Sequence, residues 1–128
     1  MKRFSFLAGL LLLATGGFGQ FIANNGIAIS NSALLVTNGD WVNGAGTNLI
    51  NNGIIRTSNS FVNSGGLDKA STGGFVLDFA TDLSFQPGGS QLGFLTKNGA
   101  GRALLTGTIA LKDSLLLNDG VIELQNPV

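Results

Sequence analysis

Residues 22–66 read IANNGIAISNSALLVTNGDWVNGAGTNLINNGIIRTSNSFVNSGG, and the spacing of their turns decides the fold. Gly26, Gly39, Gly53 and Gly66 follow one another at intervals of 13, 14 and 13 residues. The first three come directly after Asn25, Asn38 and Asn52, and the fourth sits in Ser64-Gly65-Gly66. Asn-Gly supplies the positive φ angles of tight turns, because glycine has no Cβ and the asparagine side chain bonds its own backbone. Between the turns lie Ile27-Ala28-Ile29, Leu34-Leu35-Val36-Thr37, Trp41-Val42, Leu49-Ile50, Ile54-Ile55-Arg56-Thr57 and Phe61-Val62. These are β-prone pieces, each too short for a stable helix. An offset of 27 lays Asn24-Asn25-Gly26-Ile27 on Asn51-Asn52-Gly53-Ile54, so the longer repeat holds two Gly-marked units. Units of this kind bury themselves by stacking on their neighbours. A meander of two-residue hairpins is the competing fold, but it calls for long, strictly alternating arms, and these arms are short and irregular. The expected fold is all-β: a parallel β-helix-like solenoid in which equivalent asparagines stack and bond from coil to coil.

The chain begins with a different signal. Met1-Lys2-Arg3 is a positive start, residues 6–15 form an apolar run with four consecutive leucines, and Gly17-Phe18-Gly19 places small residues three apart. This is the pattern of a secretory signal peptide. Spanning a bilayer takes about 20 apolar residues, and this run breaks at Gly16-Gly17. Cleavage after Gly19 makes 1–19 a signal-peptide helix and Gln20 the first mature residue. The expected location is extracellular or at the cell surface, with membrane contact only through the signal peptide before cleavage.

Without Lys2 and Arg3 the basic residues are Arg56, Lys69, Lys97, Arg102 and Lys112, against seven acidic ones, which gives nucleic acid no basic patch. The chain has no Cys, so it holds together without disulfides and carries no lipoprotein anchor. Forty-four per cent apolar residues argue against disorder. Twenty glycines suit many short strands between turns.

Two mature regions are expected: Asn/Gly-rich solenoid repeats over 20–66 and continuing solenoid strands over 67–128. In the second, Phe75, Leu77 and Phe79 alternate with Val76 and Asp78. Val76, Phe79, Ala80 and Leu83 would also form a helical stripe, but Gly73-Gly74 and Pro87-Gly88-Gly89 on either side favour strands within turns. From Leu104 the pattern predicts three strands, carrying Leu105, Ile109 and Leu111, then Leu115 and Leu117, then Ile122 and Leu124. Turns are expected at Lys112-Asp113 and Asn118-Asp119-Gly120. Gln125-Asn126-Pro127-Val128 offers no polar cap of the kind a solenoid end normally needs. The expectation is a chain truncated from a longer one, with self-association through an open end.

On these motifs the chain resembles the repetitive N-terminal β-solenoid regions of large bacterial secreted and cell-surface proteins, many of them adhesin-like substrates of type IX secretion. The resemblance rests on Ile22-Ala23-Asn24-Asn25-Gly26-Ile27, Val36-Thr37-Asn38-Gly39-Asp40-Trp41-Val42-Asn43 and Leu49-Ile50-Asn51-Asn52-Gly53-Ile54. It continues in Leu104-Leu105-Thr106-Gly107-Thr108-Ile109-Ala110-Leu111 and Leu115-Leu116-Leu117-Asn118-Asp119-Gly120-Val121-Ile122. It implies an adhesive or structural role at the cell exterior, with a glycan or protein of that surface as partner. It carries over no catalytic residue. Such proteins usually end in a separate sorting domain, and none is visible in this sequence.

The chain has no His and no Cys, which removes His-based acid–base catalysis, zinc sites and the Ser-His-Asp and Cys-His arrangements. Paired carboxylates remain: Asp78 with Asp82, or Asp113 with Asp119, set against the reading that each sits in a turn or on a solvated face. Asn118-Asp119-Gly120 and Asn38-Gly39-Asp40 are too sparse for calcium, and Gly99-Ala100-Gly101-Arg102 is an incomplete phosphate loop that reads as a turn. No catalytic, cofactor or metal residue is therefore assigned. Trp41 is the single candidate contact for a glycan, by stacking on a sugar ring, against packing at the edge of a coil. Thr106-Gly107-Thr108 alone has the spacing of an ice-binding threonine ladder. The functional expectation is a non-enzymatic extracellular segment. Its alternative is a carbohydrate-binding or polysaccharide-degrading β-helix whose active part lies outside this chain.

Overall fold

The computed structural model describes residues 22–89 and 91–125, so the signal segment 1–19 and its cleavage point lie outside the described residues. Each short apolar piece between glycine corners becomes a strand. The first turn of the chain is β1 (Ile22–Asn24), β2 (Ile29–Asn31) and β3 (Leu34–Thr37), and the second is β4 (Trp41–Asn43), β5 (Leu49–Asn51) and β6 (Ile54–Thr57). There follow β7 (Phe61–Asn63), β8 (Gly74–Asp78), β9 (Leu83–Gln86), β10 (Gln91–Asn98), β11 (Arg102–Thr106), β12 (Ala110–Leu117) and β13 (Val121–Gln125). Strands of successive turns pair in parallel. The first wall is β1-β4-β7-β9-β11-β13, the second is β2-β5, and the third is β3-β6-β8-β10-β12. The result is an all-β parallel solenoid of about five turns, with no helix among the described residues.

The coil is shorter than the sequence repeat suggests. Trp41 pairs with Phe61 and Leu34 with Ile54, and the asparagine bonds between turns span 20 residues. Asn24 of β1 and Asn51 of β5 therefore lie on different walls, and the offset of 27 does not superpose equivalent positions. The glycine spacing counts corners. Gly26 follows β1, Gly39 follows β3, Gly53 follows β5 and Gly66 follows β7, so each step of 13 or 14 residues advances two sides of a three-sided coil. Because all three corners use the same turn chemistry, the sequence cannot distinguish them by residue type.

Stacking places side chains in columns. Ile22, Trp41, Phe61, Phe85, Leu105 and Leu124 line the inside of the first wall, and Leu35, Ile55, Phe75, Leu95 and Leu115 that of the third. The rings interlock across the interior: Trp41 stacks on Phe61 at 5.2 Å, while Phe61 and Phe85 each meet Phe75 edge-on at 5.1 and 5.3 Å. Asparagines form the expected ladders. Asn24 Nδ2 donates to Asn43 Oδ1 and Asn43 Nδ2 to Asn63 Oδ1, both at 2.7 Å, and Asn31 Nδ2 donates to Asn51 Oδ1 at 2.9 Å. Phe75 and Leu77 face inward from a strand, and the helical alternative for this stretch is not what forms.

The cross-section changes in the third turn. Phe61 pairs with Phe85, a step of 24 residues, because the connection from β8 to β9 is longer than that from β6 to β7. The second wall ends at the same level. Leu67 bridges to Leu49, but the next residues in its place are Gly88 and Gly89, whose lack of side chains leaves nothing to pack inward. Leu67 N–H donates to Gly88 O at 3.1 Å, and beyond it the chain runs in the eight-residue strands β10 and β12.

Two sequence expectations need correction here. Lys112-Asp113 is not a turn: Leu111 pairs with Leu92 and Ser114 with Phe94, so the two residues face the single Gly93 as a bulge inside β12. Leu105, Ile109 and Leu111 do not share a strand. Leu105 belongs to β11, Leu111 to β12, and half-buried Ile109 packs on the core from the corner between them.

Thr37 and Thr57 stack in one inward column of the third wall, and both are fully buried. Thr57 Oγ1 donates to Asn59 O at 2.9 Å, whereas Thr37 Oγ1 has no partner. An unbonded buried hydroxyl costs about 1–3 kcal/mol. The expected result is that Thr37→Val raises stability and Thr57→Val lowers it by about 1 kcal/mol, read by urea denaturation. The same sign for both would contradict this hydrogen-bond assignment.

Candidate functional surfaces

The structure places Trp41 in the core, 2% exposed, with its ring stacked on Phe61. No ring face is open to a sugar, so the glycan contact through Trp41 gives way to packing. The indole Nε1 has no partner. Thr106 ends β11 while Thr108 lies outside any strand, so the two threonines do not continue as a ladder on one flat face.

The carboxylates are drawn into ties between coils. Asp78 accepts from Arg56 of the preceding turn and from Asn98 Nδ2 of the following one at 2.8 Å. Burial works to raise its pKa, but the bonds from Arg56 and Asn98 and the charges of Arg56 and Lys97 together hold it below the usual carboxylate range. Arg102 ties Asp82 on one side to Glu123 on the other, each at 2.6 Å, and its hydrogen bonds lower the pKa of Asp82. Asp68 is lowered by the N–H of Ala70 and by Asn48. Asp78 and Asp82, adjacent in sequence terms, thus enter separate ion pairs. Among the described residues no three His, Cys, Asp or Glu side chains converge as a metal site would require.

Lys97 is the one charged residue inside. It occupies the inward column of Thr37, Thr57, Leu77 and Leu117, is fully buried, and donates to the carbonyls of Asn98 and Gly99 at 2.6 Å. Burial lowers its pKa, against the opposing charges of Asp119 and Asp78. The ammonium meets carbonyls of the lengthened corner next to β10, which is a structural use of the charge.

Three surfaces remain available. The outer face of the third wall is apolar: Leu34 (61% exposed), Val36, Ile54 and Leu116 lie open, and Phe94 lies across Gly74. Sequence reading missed this face because Leu34-Leu35-Val36-Thr37 looks uniformly suited to a core. Pleating sends its threonine inward and two of its apolar residues outward. A groove of about 290 Å³ lined by Gln86, Gly88, Gly89, Thr106, Gly107 and Thr108 lies where the second wall ends. The third surface is an apolar cleft of about 450 Å³ at the end formed by β12 and β13. Compared with known proteins, the chain matches no family model, and no curated protein or solved structure is significantly similar to it.

Proposed function

We propose that the chain is a non-enzymatic, extracellular solenoid segment of a bacterial surface protein, structural or adhesive in role, exported through its signal peptide and meeting glycan or protein through its outer walls. The observation that carries this reading is the use of the polar side chains. Asparagines, arginines and carboxylates bond the next coil about 20 residues away, which builds a rod. The apolar outer face of the third wall supplies a surface for adhesion. The competing reading as a polysaccharide-cleaving helix needs a carboxyl kept protonated near neutral pH. Asp68, Asp78 and Asp82 are all shifted the other way.

Purified protein is expected to release no reducing ends from soluble polysaccharides. Turnover that disappears in Asp78→Asn or Asp82→Asn would replace this proposal with the enzymatic one. Cells displaying the chain are expected to lose retention on protein- or glycan-coated surfaces when Leu34, Val36 and Leu116 are changed to Ser. Each of these exposed changes should alter stability by less than about 0.5 kcal/mol. Undiminished retention would remove the third wall as the adhesive face. Intact-mass measurement of secreted material should show a start at Gln20, and retained Met1 would contradict export by cleavage.

A further inference from the structure

The apolar cleft at the β12–β13 end has Leu95 and Leu105 as its floor and Leu115, Leu117, Ile122 and Leu124 around it. Leu115 and Leu124 are 50% and 65% exposed, although they continue the interior columns that are fully buried at Phe75 and Phe85. Among the described residues no strand pairs with the outer edge of β12 or of β13. Core columns and backbone ladders both stop at this surface with their next partner missing. Such an edge pairs with a strand of matching length and apolar pattern.

We propose that this end is the interface of a symmetric dimer, in which the β12–β13 end of one copy docks on the same end of a second. Strand lengths select the partner. β12 has eight residues and β13 five, whereas the strands at the opposite end, β1, β2 and β3, have three, three and four. A head-to-tail stack would set the eight-residue edge of β12 against a four-residue strand and leave backbone groups unpaired. The same end of a second copy offers equal lengths. A two-fold axis also reverses strand direction, so β12 meets β12 and β13 meets β13 as antiparallel pairs. At the rim, Arg102 already balances Asp82 and Glu123, so these charges do not oppose their symmetry mates bare. The cleft is lined by apolar side chains, and closing it joins the two interiors into one dry core.

Sedimentation velocity and light scattering of the purified protein are expected to give twice the chain mass. The chain has no cysteine, so a nitroxide on Ser114→Cys, mid-way along β12, reports one site per copy. The two labels should lie within about 20 Å of each other. A head-to-tail polymer would separate them by the length of the solenoid, about 30 Å for six strands stacked roughly 4.8 Å apart, and would grow without limit. The double variant Leu115→Asp, Leu124→Asp is expected to be a folded monomer, because both side chains are already half open in the single copy. Ile27→Asp, at the opposite end and 69% exposed, should remain a dimer. A monomeric parent protein, an open polymer, or labels farther apart than the same-end geometry allows would each overturn the proposal. So would a Leu115→Asp, Leu124→Asp protein that keeps the dimer mass.

Discussion

Phe61→Ala is expected to lower the free energy of unfolding by about 3–5 kcal/mol, the range for truncating a buried aromatic ring. Phe61 is fully buried and touches the rings of Trp41, Phe75 and Phe85, so it joins the first wall to the third and the second turn to the fourth strand of its ladder. A cavity at that point has stacked neighbours on both sides, whose backbone ladders prevent collapse into it. Against a total of about 5–15 kcal/mol for a typical domain, the loss removes a large share of stability. For a domain near 100 residues it lowers the melting midpoint by at least about 12 °C. Val62 on the same strand points outward, and Val62→Ala should cost under about 1 kcal/mol. Comparable costs at the two positions, measured by thermal and urea denaturation, would mean that the inward register of β7 is wrong.

Asn43→Asp should be about as damaging, at roughly 3–5 kcal/mol near neutral pH, because it buries a charge without compensation. Asn43 is fully buried, accepts from Asn24 and donates to Asn63 Oδ1. The substitution keeps the shape and the acceptor but sets a carboxylate oxygen against the Asn63 oxygen. Burial and that repulsion raise the pKa of the new carboxyl in the folded state above its unfolded value. A raised pKa means the folded form is favoured when protonated, so the penalty is present above that pKa and recedes as pH falls through it. The parent protein moves in the opposite direction. Asp68, Asp78 and Asp82 have lowered pKa values, and the stability they contribute is lost as pH falls below the ordinary carboxylate range of about 4. The stability gap between variant and parent should therefore narrow between pH 7 and pH 4. A gap that stays constant across this range would show that position 43 is solvated and that its ladder does not form as described.

Much of the architecture was legible in single residues. Asn-Gly corners, short β-prone pieces and the absence of hairpin arms pointed to stacked parallel coils, and the pieces beginning at Leu34, Trp41, Leu49, Ile54 and Phe61 are strands. The expected asparagine ladders are present, because an amide carries both a donor and an acceptor and can repeat its bond in every coil. Candidate surfaces were less legible. Trp41 was a defensible glycan contact until its neighbours were known, since nothing in Asp40-Trp41-Val42 reveals that Phe61 lies directly above it.

The sequence by itself determined that this protein is built of parallel coils with glycine corners and asparagine ladders, since those properties follow from local conformation and from what one side chain can bond. Only the tertiary structure decided the 20-residue coil, the loss of the second wall at Gly88 and Gly89, and the faces taken by Thr37, Leu34 and Lys97. The reason is that a turn residue records that the chain bends, while the number of bends per coil depends on which walls close around a shared core. That closure is a property of contacts between residues some 20 positions apart, summed over all the columns, and no single stretch of the chain contains it.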